Sequence, residues 1–336
     1  MAFSLRHSLG AALVLLALAP QCLSAQPGET LRQVRDRGYL ICGVGVGDIG
    51  FATQQTDGSW AGFDVDFCRA VATATLADAN AVEFVPLDSL NRLSALQNGD
   101  IDVLFRTTTF NMERDVSLGF EFPAITYFDE QRVLAHASTR ARTLDDLAGR
   151  VICANAGTTS IRNIREALAS RQIEAEILEI SSQAGRWRAF FGQECAAVTG
   201  DGSDLNIMRA MHGLDESALV VLEDILANEP LSAVVREGDQ QWEQVIRWVV
   251  NLLILAEAEG IGRANALDAG SDLKVPAYPR LGLTEGWAHR TISAVGNYGE
   301  IFERNLGSGS DFGLERGLNR LWREGGLMYA LPMKNR

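Results

Sequence analysis

Strand-like runs alternate with helix-like runs along this chain in two separate series, and no other feature narrows its folding options as much. The first series opens with a short helix, Leu31 to Arg35, stopped at Gly38. It continues through a strand from Tyr39 to Val44, a glycine-rich loop to Gly50, a hairpin turning at Asp57-Gly58 and a helix from Phe67 to Ala77. The strand Val82 to Leu87, the helix Ser89 to Gln97 and the strand Ile101 to Phe105 complete it. Strands separated by helices imply a parallel sheet with helices on both faces.

The second series runs from Gln131 to Arg236. Strands are expected at Gln131 to Ala135, Val151 to Ala154, Glu176 to Ile180, Ala196 to Gly200 and Leu219 to Leu222, with helices at Thr143 to Ala148 and Ile161 to Ser170. Leu231 to Arg236 is a last extended run. Beyond it the pattern turns helical, at Trp242 to Glu259, Thr284 to Val295 and Leu314 to Trp322. The spacing of Trp242, Val245, Ile246, Val249, Leu252, Leu253 and Ala256 is that of one amphipathic face. A tail with so few strands packs back on the first lobe. Lobe 1 is therefore expected at residues 30–130 and 237–336, and lobe 2 at 131–236. Two α/β lobes crossed by two extended segments suggest a hinged clamp with its ligand cleft between them.

The first 25 residues stand apart from this pattern. Arg6 and His7 precede an apolar run from Leu9 to Ala19, followed by Pro20 and small residues through Ala25. That is the order of a secretory signal peptide, and the run is shorter than the roughly 20 residues a spanning helix needs. Pro20-Gln21 stands where small residues should precede a lipidated Cys22, so the expectation is a cleaved, exported, soluble chain. Export gives meaning to Cys42, Cys68, Cys153 and Cys195, the four cysteines that remain. An even count in an oxidising compartment favours disulfides. Of three connectivities, Cys42–Cys68 and Cys153–Cys195 put one staple in each lobe, each contributing on the order of 3 kcal/mol. No CxxC spacing and, beyond the expected signal peptide, only three histidines, His136, His212 and His289, argue against a zinc site.

Charge excludes further classes. With 30 basic and 43 acidic residues the chain carries −13, and Lys274 and Lys334 are its only lysines. Nucleic acid and anionic membrane surfaces draw on clustered cations that are absent here. There is no GxSxG elbow and no HExxH, and Asp64-Val65-Asp66 and Asp268 to Asp272 do not fit a calcium loop.

Three local constellations remain. Arg106-Thr107-Thr108-Thr109-Phe110-Asn111-Met112-Glu113-Arg114 follows a strand end, where open α/β sheets bind ligands, and an Arg there can fork onto a carboxylate. A hydroxyl-rich loop with a surface Arg accounts for the same letters. Asn155-Ala156-Gly157-Thr158-Thr159-Ser160 joins a strand to a helix whose first N–H groups attract an anion, with Thr159 or Ser160 as its cap. Plain capping is the blander account. Thr199-Gly200-Asp201-Gly202-Ser203 offers Asp201 to a ligand ammonium, or simply makes a turn.

Taken together, Gly62-Phe63-Asp64-Val65-Asp66, Leu96-Gln97-Asn98-Gly99-Asp100-Ile101-Asp102-Val103 and the Thr-rich turn ending at Glu113-Arg114 resemble the periplasmic solute-binding proteins of polar amino-acid ABC transporters. Leu40-Ile41-Cys42-Gly43-Val44, Asp66-Phe67-Cys68-Arg69-Ala70, the run Gly296 to Asn305 and Arg316-Gly317-Leu318-Asn319 are similar to the general L-amino-acid-binding subfamily. The resemblance implies a two-lobed type II periplasmic-binding fold that closes on a free amino acid and delivers it to a membrane permease. It implies a monomer without cofactor or catalytic activity. Residue by residue, it assigns the ligand α-carboxylate to Arg114, with Thr158 and Thr159 adding donors. Thr107 and Thr109 contact the ligand, and Asp201 takes the α-ammonium. Arg106, beside the Thr-rich turn, is expected to reach the ligand side chain and favour Glu, Asp, Gln and Asn, unless it is a structural Arg on the lobe surface. Ser89 stands where such proteins often stack an aromatic ring, Gly202 where a bulkier residue is usual, and Phe110-Asn111-Met112 where Thr- or Asn-rich sequence is usual. An exported dehydratase or other lyase on the same scaffold is the competing reading; it would need a cleft group poised for proton transfer.

Overall fold

The computed structural model describes residues 28–333, apart from 216, 269–272, 274 and 277. The expected signal peptide, residues 1–25, lies outside the described residues.

The first wing is built from α1 (Glu29–Arg37), β1 (Leu40–Gly45), a hairpin of β2 (Thr53–Gln54) and β3 (Trp60–Ala61), α2 (Phe63–Leu76), β4 (Val82–Leu87), α3 (Arg92–Asn98) and β5 (Val103–Thr109). After β6 (Phe120–Glu121), the long β7 (Ile125–His136) leads into the second wing. That wing comprises β8 (Val151–Asn155), α4 (Thr159–Ser170), β9 (Glu176–Ile180), α5 (Gln183–Phe191), β10 (Ala197–Asp201), α6 (Gly202–Met211) and β11 (Leu219–Val221). Then β12 (Ala227–Arg236) returns to the first wing, followed by α7 (Gln240–Ala258), α8 (Trp287–Val295) and α9 (Tyr298–Asn305).

Eight of the twelve described strands form one hydrogen-bonded path in the order β4-β1-β5-β12-β7-β10-β8-β9, with β6 beside β12, β11 beside β7 and β2–β3 a separate pair. The outer strands of each wing pair in parallel, β1 with β4 and β5, β8 with β9 and β10. At the centre β12 runs antiparallel to both β5 and β7, and β10 antiparallel to β7. Parallel wings thus meet through an antiparallel joint.

Each wing has its own core. In the second, successive β7 residues point to opposite faces, as pleating requires. Val133 and Ala135 pack with Ile152, Ile164 and Leu168 on one side, while Leu134 packs with Trp187, Phe190 and Leu205 on the other. In the first wing the main core runs from Leu31 to Met333 and takes in Phe63, Phe67, Tyr298 and Phe302 edge to face, while Leu96, Ile101, Leu104, Phe120, Phe122 and Val234 form a second cluster. The expected apolar face of α7 is buried along its whole length, and Trp242 Nε1 donates to the Asp102 carbonyl at 2.9 Å. No described helix is long and apolar enough to cross a membrane. Cys42 joins Cys68 and Cys153 joins Cys195, with Cα separations of 6.1 and 5.7 Å, each inside one wing.

Several boundaries differ from the sequence expectations for identifiable reasons. Helix α2 starts at Phe63, not Phe67, because Gly62 at φ +144° admits a close approach that a Cβ would block against the Phe51 carbonyl. Strand β5 continues to Thr109, so Thr107 to Thr109 belong to the sheet and not to a loop. Thr107 sits at φ +36° beside a register shift in the β5–β12 ladder. Helices α5, α6 and α9 were not marked by the alternation. The expected helix from Leu314 to Trp322 is absent, and 3₁₀ turns at Gly317–Asn319 and Trp322–Glu324 stand in its place.

That irregular tail has a task. Asn319 Oδ1 accepts from the Phe128 amide at 2.7 Å, and its Nδ2 donates to the Phe128 carbonyl at 3.0 Å. Phe128 lies on β7 opposite Pro230 of β12, so the Asn319 side chain completes its pairing as a third strand would. Nearby, Tyr298 Oη donates to the Thr126 carbonyl at 3.0 Å, and Arg316 pairs with Glu257. Asn319→Ala would leave both Phe128 backbone groups without protein partners. We expect it to destabilise the fold by about 2 kcal/mol, the scale of buried backbone groups left unpaired. A urea midpoint equal to the parent's would show that the side chain does not brace the joint.

Candidate functional site

Strand ends place the site. The carboxyl ends of β4, β5, β8 and β10, with the loop after β1, converge on a cavity between the wings. The first wing contributes Asp48, Ser89, Arg92, Arg106, Thr107 and Thr109 to its lining. The second contributes Thr158, Thr159, Gln183, Arg186, Asp201 and Asp204, among others. The wings touch around it. Thr109 Oγ1 lies 3.4 Å from Thr159 Oγ1, and Arg162 Nη1 bonds Glu113 Oε2 at 2.8 Å. Gly157, at φ +73°, fits so closely that a Cβ there would stand 2.7 Å from Leu90 Cδ2 and 3.2 Å from the Ser89 carbonyl.

Six of the seven candidate ligand residues line this cavity: Arg106, Thr107, Thr109, Thr158, Thr159 and Asp201. Arg114 does not. It is buried one layer back on an irregular turn, with Nη1 donating to the Thr109 carbonyl at 2.6 Å. Arg106 is buried and not on the lobe surface. It donates to the Leu87 carbonyl and to Ser89 Oγ, and lies 3.7 Å from Asp48. Ser89, expected as a missing aromatic, thus holds an Arg in place. Neither Thr159 nor Ser160 caps α4. The cap position belongs to Thr158, whose hydroxyl instead donates to the Asn155 carbonyl at 2.6 Å. The first N–H groups of α4 are left facing the site without an intrahelical partner.

Sequence reasoning missed several groups here. Arg92, at the start of α3, is 2% exposed, and among the described residues it makes no ion pair. Burial pushes its pKa well down, and the neighbouring Arg106 and Arg114 push it further. Its Nε finds no hydrogen-bond partner. Arg186 is paired with Asp204 and donates to the Thr199 carbonyl. Glu229, from β12, accepts from Thr109, Thr159 and Asn163. Asp129, from β7, accepts from Ser203. The spacing Gly45-x-Gly47-x-x-Gly50 matches a dinucleotide-binding pattern, yet the loop leads into the hairpin β2–β3 and not into a helix, so no helix N-terminus faces it.

Electrostatics sharpen the picture. Burial raises the Asp201 carboxyl well above its ordinary range, and the carboxylates of Asp129, Glu229 and Asp204 add to the rise. Burial likewise lifts Asp129 to about 6. This end of the cavity holds more negative charge than it can comfortably ionise, which suits a cation. The cavity also holds positive charge around Arg92 and Arg106, and Arg92 makes no ion pair among the described residues.

A chain with this architecture belongs to the bacterial extracellular solute-binding proteins, family 3, whose sequence model matches residues 40–255. It is 38% identical over 324 residues to the general L-amino acid-binding periplasmic protein AapJ of Rhizobium johnstonii, covering 93% of this chain and 94% of that one. It is equally, 38%, identical over 331 residues to the glutamate/glutamine/aspartate/asparagine-binding protein BztA of Rhodobacter capsulatus, covering 95% and 97%. Among solved structures, a periplasmic binding protein from Brucella ovis with glutathione bound superposes with a TM-score of 0.85 at 39% identity, covering 91% of this chain and 99% of that one. These relatives are solute-binding proteins and not enzymes, and they do not favour the dehydratase alternative.

One titration is open to test directly. Asp64 is buried at the start of α2, where it accepts from the Thr107 amide at 3.3 Å. Burial, then the nearby Asp48, lifts its pKa from 3.8 to about 7. A carboxyl whose folded pKa is raised stabilises the fold below its unfolded pKa and loses that contribution as pH rises through the folded value. The melting temperature should therefore fall between about pH 4 and pH 7, and Asp64→Asn should flatten part of that slope. An unchanged slope in the variant would refute the assignment.

Proposed function

We propose that this protein captures one free L-amino acid, favouring acidic and amide side chains, and delivers it to the membrane permease of an ABC transporter. It does so as a periplasmic monomer after removal of residues 1–25, without cofactor or catalysis. Residues 30–130 with 237–336 form one jaw and 131–236 the other.

The observation that carries this reading is the unpaired, buried Arg92. A buried cation without a partner costs several kcal/mol, so the site is built to receive an anion. A zwitterionic amino acid also brings an ammonium and an α-carboxylate, each needing a partner once desolvated. Asp201, among its crowded carboxylates, is assigned the ammonium. The α-carboxylate is assigned to the N–H groups of α4 at Thr158 and Thr159, with Arg114 as its counter-charge from the layer behind Thr109. Thr107 and Thr109 touch the head group from the first wing. Arg92 and Arg106 are left for a distal carboxylate or amide. The relatives support the class, one being named for L-amino acids generally and the other for glutamate, glutamine, aspartate and asparagine. Glutathione, present in the Brucella ovis structure, carries two carboxylates and one ammonium and is the competing ligand.

Calorimetric titration with the twenty amino acids and glutathione tests the proposal. Glu, Asp, Gln and Asn should bind most tightly. Arg92→Ala should cost Glu and Asp about 2 kcal/mol, roughly thirtyfold, and leave alanine binding unchanged, with Arg106→Ala moving in the same direction. Arg114→Ala and Asp201→Ala should each cost every amino acid about 3–5 kcal/mol, since each strands an opposite charge. Binding of no amino acid would overturn the reading, and binding of glutathione alone would replace the ligand class.

A further inference from the structure

Glu229 is a buried carboxylate that links both walls of the cavity, holding Thr109 on one side and Thr159 and Asn163 on the other. It stands on β12, 1% exposed, opposite Asp129 of β7. Three donors converge on it. Thr109 Oγ1 donates from β5, Thr159 Oγ1 donates from the first turn of α4 at 3.1 and 3.2 Å, and Asn163 Nδ2 donates from one turn further at 3.0 Å. Arg114 lies close enough for Glu229 to favour its charge.

A threonine hydroxyl carries a single proton and two lone pairs. A carboxylate can only accept. Thr109 and Thr159 have therefore committed their protons to Glu229, and each oxygen shows the cavity lone pairs alone. Backbone N–H groups are not altered in this way and remain donors.

We propose that Glu229 is a positioning residue that sets the hydrogen-bond polarity of the cavity. By taking the two hydroxyl protons it makes Thr109 and Thr159 acceptors for the ligand ammonium, beside Asp201, and leaves the ligand carboxylate to the N–H donors and arginines. This rests on the amino-acid reading above. It goes beyond it by assigning Thr159 two roles, an N–H for the carboxylate and an oxygen for the ammonium, and by giving a residue outside the cavity lining control over the head group.

Glu229→Gln is the decisive change, because its amide keeps the shape but turns one oxygen acceptor into a donor. That donor needs a hydroxyl lone pair, so the hydroxyl it meets must aim its own proton at the cavity, against the ammonium. Affinity for the best-bound amino acid should fall at least tenfold by calorimetry, with the thermal transition retained. In a Thr109→Val background, which has no hydroxyl to misdirect there, the same change should cost several-fold less. Thr109→Ser should bind within a fewfold of the parent and Thr109→Val much more weakly. A residue acting only as a structural staple would lower the melting temperature and produce equal losses in both backgrounds. Equal losses, or Glu229→Gln binding as tightly as the parent, would overturn the proposal. If Glu229→Gln fails to fold, Thr109→Val binding as tightly as Thr109→Ser overturns it independently. A parent that binds no amino acid removes the functional reading instead, so the two failures are distinct.

Discussion

Everything else in the molecule hangs on the antiparallel pairing of β7 with β12. Among the described residues these two long strands alone continue the sheet from one wing into the other, with β5 added on one side and β10 on the other. Because they bond to each other, a change at one is felt by its partner across a ladder about six residues long. The same pair supplies Asp129 and Glu229, in direct register, to the layer beneath the cavity. Like charges directly opposite on a sheet are unfavourable. The fold tolerates them by giving each a set of donors, Ser203 for Asp129 and Thr109, Thr159 and Asn163 for Glu229.

The cavity itself is an exercise in near-balanced charge. Three arginines and three aspartates line it, but they are not evenly paired. Arg186 is spent on Asp204, and Arg106 is shared between Asp48, Ser89 and a carbonyl. Arg92 and Asp201 are left at odds with their surroundings, one short of anions and one short of cations. A solute bearing both signs, as proposed here, would relieve such an imbalance. Differential contact of that kind is what allows a ligand to favour one arrangement of two lobes over another.

How much of this was legible in the sequence follows from how far apart the cooperating residues are. Strand ends in an open α/β sheet marked the three segments around Arg106, Gly157 and Asp201, and it was the family resemblance that singled out Thr107, Thr109, Thr158, Thr159 and Asp201 within them; the cavity lining now includes all of these with Arg106. The cysteine pairs and the buried face of α7 were equally readable, because each depends on local spacing. Glu229 had no such signal. It looks like an ordinary polar residue in an extended run, and its three donors lie 66 to 120 residues away. Arg92 hid at the start of an amphipathic helix, where a charged residue is unremarkable. Arg114 was named from its motif, yet the fold sets it behind Thr109, a one-layer offset that no linear pattern encodes. The tail misled for a different reason: Leu314 to Trp322 has helical composition, but Gly313 and Gly317 at positive φ break it and free Asn319 for Phe128.

The clasp of Asn319 on Phe128 also bears on the order in which the chain is made. Phe128 emerges from synthesis 191 residues before the side chain that completes its pairing. The core it belongs to likewise draws on residues from Leu31 to Met333. Contacts that distant in sequence form late, because loop-closure entropy is lost before they return anything. The second wing, by contrast, closes its two cores within residues 133–222. The buried cores of the second wing are thus closed by shorter loops than those of the first, whose main core needs both ends of the described chain at once.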